Sequence, residues 1–149
     1  MGKHDFFVGT LTCPRCQAVS EPNSRTAIET RIRDMPTFEN LKAGMALEVP
    51  TDLAVMRRRD YICLRAPNPR EPVRVIAFWC CTHCLWQDNW AEVTVDKGVI
   101  QSVLAVPASR ETVERVNFIS GQVYLLVPSV AELTEIDDAE VLRRLRKLP

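Results

Sequence analysis

Apolar and polar positions fall into short runs along this chain, and most have the two-residue period of strands. Residues 6–12, Phe-Phe-Val-Gly-Thr-Leu-Thr, read as one strand running into Cys13. Residues 26–33 alternate, with Ile28, Thr30 and Ile32 on one side and Glu29, Arg31 and Arg33 on the other. That period predicts a half-buried strand. Little is assigned over 36–52 beyond a turn at Leu41-Lys42-Ala43-Gly44 and a short strand at Met45–Val49. Tyr61–Leu64 reads as a strand, and the prolines at 67, 69 and 72 make the next segment a loop. Val73–Trp79 is rich in Val, Ile, Phe and Trp, the residues that suit a pleated surface. Trp90–Val95, the turn Asp96-Lys97-Gly98 and Val99–Val106 form a hairpin, with Gly98 supplying a positive φ.

After residue 106 the pattern changes to helical spacing. Ser109 can cap a helix running to about Ser120 and ending at Gly121. Val123–Val127 is apolar and stops at Pro128, and Ser129-x-x-Glu132 is a capping box. A further helix starts at Asp137-x-x-Glu140, with Val141, Leu142, Leu145 and Leu148 as its apolar stripe. Its acidic residues come first and its basic ones last, which suits the helix dipole. The expected architecture is one α+β domain over 1–149: an antiparallel sheet carrying a split zinc ribbon over 1–106, and C-terminal helices over 107–149.

Composition adds bounds rather than a function. The chain has 149 residues with 46% hydrophobic and 26% charged side chains, an ordinary globular balance. Lys plus Arg is 19 and Asp plus Glu is 19, so no global basic field exists to gather nucleic acid. The longest apolar runs are too short to span a bilayer. Asp5 and a short apolar stretch argue against a secretory leader, so a cytoplasmic, reducing location is expected. Cysteines in such a compartment read as metal ligands or free thiols before disulfides.

Six cysteines then carry most of the chemistry. Cys13-Pro14-Arg15-Cys16 and Cys81-Thr82-His83-Cys84 are two Cys-x-x-Cys knuckles. Two intervening residues let both sulfurs of a tight turn face one ion, and two such turns complete a tetrahedron. Each knuckle follows a predicted strand, as in a zinc ribbon. The knuckles are separated by 64 residues, a long insertion whose closure cost grows only logarithmically. Cys80 leaves the register open, because a Cys80-x-x-x-Cys84 pair can also chelate. His83 is a further alternative ligand, Cys63 reads as a small buried hydrophobe and His4 as a solvated side chain. Iron or a redox role competes with zinc at a four-thiolate site. Yet neither knuckle opens a helix in a βαβ unit, and Gln17 and Leu85 stand where rubredoxin-like knuckles carry glycine.

Catalysis is not expected. Four thiolates close a metal site to water, and no His-Glu-x-x-His, Gly-x-Ser-x-Gly or phosphate loop occurs. Residues 1–75 carry 12 basic and 9 acidic groups, and residues 76–149 carry 7 and 10. Arg57-Arg58-Arg59 is the only basic run, with Arg15, Arg31 and Arg33 as its possible extensions. Trp79, Trp86 and Trp90 surround the second knuckle and are expected to cover the site and fill the core beside it.

Gly9-x-Leu11-x-Cys13-Pro14-x-Cys16, Phe78-Trp79-x-Cys81-x-x-Cys84 and Trp90-Ala91 with the hairpin after it resemble small bacterial split-zinc-ribbon proteins. Such proteins are often encoded beside polymorphic toxins. The resemblance implies an immunity protein, an antitoxin that binds and blocks a toxin domain, with Zn2+ on Cys13, Cys16, Cys81 and Cys84. The expected partner contacts are Trp86 or Trp90 as an apolar anchor and the acidic groups Asp88, Glu92 and Asp96. Glu132, Glu135, Asp137 and Asp138 add to that acidic surplus. A nucleic-acid-associated zinc ribbon is the alternative, and a zinc or redox enzyme the second.

Overall fold

The computed structural model describes residues 5–21, 28–33, 38–121 and 138–149. In chain order these form β1 (Asp5–Phe7), β2 (Leu11–Thr12), β3 (Val19–Ser20), β4 (Ile28–Thr30), β5 (Asn40–Leu41), α1 (Leu53–Arg58), β6 (Tyr61–Cys63), β7 (Val73–Trp79), β8 (Asn89–Asp96), β9 (Val99–Val106), α2 (Arg110–Arg115), β10 (Phe118–Ser120) and α3 (Asp138–Leu145). The main sheet has the order β6-β10-β7-β8-β9. A smaller sheet has the order β4-β1-β5, and β2 pairs with β3 alone. The protein is thus α+β, with mostly antiparallel pairing and few helices among the described residues.

The central hairpin follows from its sequence. β7 pairs with β8 from Val73 opposite Val95 to Trp79 opposite Asn89. Val75, Ala77, Trp79, Ala91, Val93 and Val95 turn to one face, packing with Phe7, Leu11, Ile28, Leu41 and Met56. Ile76, Phe78 and Trp90 turn to the other, packing with Val113, Val116, Ile119, Val141 and Leu145. Burial on both faces explains why β7 reads as a nearly unbroken apolar run. In the β8–β9 turn both Lys97 (φ 51°) and Gly98 (φ 79°) are left-handed, the pattern whose twist matches the flanking strands.

Several expectations need correction. Residues 6–12 are two short strands, not one. The break is at Gly9, where an added Cβ would lie 2.9 Å from the Val103 carbonyl oxygen, so the backbone crosses against β9. Met45–Val49 is not a strand; Ala46 makes an isolated bridge to Val99, and Leu47 N–H bonds Gly98 O at 2.8 Å. Arg33 does not face solvent. It is 5% exposed and donates twice to Asp5 at 2.8 Å. The helix capped by Ser109 stops at Arg115, and Phe118–Ser120 is β10, set parallel to β7 and antiparallel to β6. Asn117 makes this insertion possible. Its side-chain oxygen accepts from Arg74 N, its amide donates to Arg65 O, and its own backbone bonds Arg74, Leu64 and Arg65. α1 falls in a stretch with no clear period, although Asp52 caps it by accepting from Val55 N at 2.9 Å. The division into a β part and a helical part is therefore looser than expected.

α3 bears out the stripe, with Val141 and Leu145 buried and Leu142 and Leu148 packed at the edge of the same core. Asp138 at its start accepts from Arg57 and from Cys63 N. Arg143 and Arg144 both bond Glu140 and hold its carboxyl down to about 2. The capping box at Ser129, the apolar run Val123–Val127 and residues Glu132, Glu135 and Asp137 lie outside the described residues, as does His4.

Candidate metal centre

Both knuckles fold by the same backbone rule. In the first, Gln17 N donates to Cys13 O and Cys13 N to Ala18 O, each at 2.9 Å. In the second, Leu85 N donates to Cys81 O at 3.0 Å and Cys81 N to Trp86 O at 2.9 Å. Gln17 (φ 65°) and Leu85 (φ 63°) are both left-handed. The glycines a knuckle would prefer at these positions are absent, but the conformation they serve is kept, at a cost of roughly 1–2 kcal/mol per residue. Gln17 offsets part of that cost by donating from its side chain to Pro14 O at 3.1 Å.

Four sulfurs converge as a result. Those of Cys13, Cys16, Cys81 and Cys84 all lie within 4.8 Å of one another. The closest approaches cross between knuckles, at 3.8 Å for Cys13–Cys84 and 3.7 Å for Cys16–Cys81. A tetrahedron with metal–sulfur bonds of about 2.3 Å has edges of about 3.8 Å, so the donor set and its spacing fit one metal ion. Cys13 and Cys81 are buried in the core, while Cys16 and Cys84 are exposed. The structure groups Cys81, not Cys80, with the other three: Cys80 lies outside the cluster and its sulfur points to Cys81 O at 3.6 Å. His83 contributes its backbone, donating to the Cys81 sulfur at 3.4 Å, and Cys63 sits apart on β6.

The surroundings favour thiolate at the first cysteine of each knuckle. Burial opposes charge on Cys81, but the N–H groups of Cys84 and His83 and the neighbouring thiols outweigh it and bring the group down to about 6. Cys13 is lowered in the same way, burial being outweighed by the N–H groups of Cys16 and Arg15. Cys16 moves oppositely. The Ala18 N–H favours its thiolate, yet desolvation and the bonds to Cys81, Cys13 and Cys84 push it up to about 11.

Sequence spacing gave no sign of three further residues. Asn89, 3% exposed at the start of β8, donates its amide to the Cys13 sulfur at 3.6 Å. The Ser20 and Thr82 hydroxyls meet at 3.4 Å across the two knuckles. Such polar pairs have no periodic signature, because β3 and the second knuckle are brought together only by the fold.

The tryptophans separate into different roles. Trp79 packs in the core that holds Cys13 and Cys81 and donates its indole N–H to Trp90 O at 3.1 Å. Trp90 is not an available anchor: it is 1% exposed and lies edge-on to Phe78 on the helix side of the sheet. Glu92 is likewise withdrawn, 5% exposed and bonded by Arg115 at 2.8 Å and Arg74 at 3.3 Å. Trp86 remains 40% exposed beside Leu85 at 62%, with the Arg15 guanidinium 4.0 Å above its ring. Asp88 and Asp96 are half-buried. The basic run is dispersed, since Arg57 pairs with Asp138, Arg58 faces solvent and Arg59 is half-buried, while Arg31 pairs with Asp60.

Fold and site together define an α+β protein with a four-cysteine cluster able to hold a metal. No protein-family model, curated protein or solved structure matches the chain. Among the described residues, no helix is long and apolar enough to cross a membrane.

Proposed function

We propose that the four cysteines hold a structural zinc ion in a split zinc ribbon, and that the chain is a non-catalytic, zinc-stabilised protein-binding protein. The observation that supports this most directly is the closure of the cluster, four sulfurs within 4.8 Å of one another. Four thiolates fill a tetrahedral ion and leave no position for an activated water. The same turns place Leu85 and Trp86 at the surface, 62% and 40% exposed, where an apolar anchor for a partner would stand. The specific reading is an immunity protein that covers a toxin domain in the cytoplasm, with Asp88 and Asp96 contributing to the contact. That role needs a rigid surface and no chemistry. The nucleic-acid alternative is weakened by the dispersal of Arg57, Arg58 and Arg59, since phosphate binding draws on several cations on one surface.

Two measurements test this. Elemental analysis of the pure protein should find one zinc per chain; its absence overturns the metal reading. Co-expression with the product of the adjacent gene should yield a stable complex and suppress that product's toxicity. A product that is harmless alone, or that stays toxic and unbound, removes the immunity reading.

A further inference from the structure

The two knuckles are far apart in sequence, and contacts other than their sulfurs join them. One is the stack of Arg15, from inside the first knuckle, on Trp86, which follows the second. Others are the Ser20–Thr82 hydroxyl pair and the Asn89 amide, which donates to the Cys13 sulfur and to Trp86 O. For a metal to leave a site with two ligands from each turn, the turns must part or a sulfur must swing out. Any contact that spans the turns without touching the metal resists that parting.

We propose that Arg15 and Trp86 form a clasp that holds the knuckles in register and slows release of the metal. Both are positioning residues, and the inference rests on the metal reading above. Three features support it. The guanidinium lies 4.0 Å from the ring centroid, well within cation–π range. Among the described residues no carboxylate pairs with Arg15. Arg15 also belongs to the turn that carries Cys13 and Cys16, so the clasp acts directly on the first knuckle.

The test is zinc transfer from the loaded protein to an excess of a chromophoric chelator at fixed pH. Arg15→Ala and Trp86→Ala should each speed transfer roughly two- to fivefold, the range expected for an exposed cation–π pair. The double variant should be no faster than the faster single, because both remove one interaction. Arg15→Lys should lie close to wild type. The thermal midpoint of the zinc-free proteins should fall by no more than the loss of one exposed cation–π pair explains, whereas a general loss of packing would lower it further. Single variants that match wild type, or a double variant whose acceleration is the product of the two, overturns the clasp while leaving the metal site intact. A wild-type protein that carries no zinc at the outset overturns the metal reading itself.

Discussion

The helix-side face of the main sheet and the knuckle end of the molecule are built differently. On the helix side, Ile76, Phe78, Trp90, Val113, Val116, Ile119, Val141 and Leu145 form a core in the ordinary way, by removing apolar surface from water. At the knuckle end, strands of two residues, Leu11–Thr12 and Val19–Ser20, carry one turn, and two left-handed non-glycine residues strain both turns. Pairing this short has little stability alone. On the proposed metal reading, a bound ion would balance it, through four converging sulfurs of which that of Cys13 also accepts from Asn89. The difference teaches that the same strand, β7, carries burial-driven cores on both faces along its length and leads at its end into a cluster of four cysteines able to hold a metal.

The largest effect that separates the two ends comes from a ligand. Cys81→Ser should lose the metal and cost more than about 4 kcal/mol, since metal-binding free energy is also folding free energy. Cys80→Ser should keep both metal and stability. Metal content with denaturant unfolding checks this, and the reverse outcome would mean that the cluster uses the other register. Next in size, Leu145→Ala should cost roughly 2–5 kcal/mol by opening a cavity in the helix-side core, with the metal retained. A change within experimental error would show that α3 does not stabilise that face. The smallest effect is a gain. Leu85→Gly should relieve left-handed strain and raise stability by about 1 kcal/mol or less, with zinc content unchanged. A clear loss would mean that the Leu85 side chain packs on something that outweighs its backbone.

Local signals made the knuckles, β7, the β8–β9 hairpin and the α3 stripe legible before any coordinates. The cysteine pairs carry their own spacing, and the hairpin and stripe carry their own periods. The failures share a cause in long-range partners. Glu92 looks like a surface acid until Arg74, from the neighbouring strand, and Arg115, from α2, enclose it. Arg33 looks solvent-facing until Asp5 accepts both its donors. Val116-Asn117-Phe118-Ile119 continues a plausible helix, but the gap between β6 and β7 gives that apolar segment deeper burial as a strand. The exposed Leu85 was equally hidden, because nothing in its neighbours' spacing says that a left-handed turn will push it outward.

The placement of β10 also bears on how the chain is made. β6 and β7 follow each other in sequence, yet they do not pair; Phe118–Ser120 lies between them, bonded to both. During synthesis, β7, β8 and β9 can form a hairpin meander as soon as they leave the ribosome. The outer edge of β7 then stays open until residue 120 emerges, and β6 has no neighbour in the sheet until the same moment. An apolar strand with a bare edge is a template for pairing with another chain. β10 closes both of these edges at once, so until it pairs the sheet keeps the two edges that such templating needs.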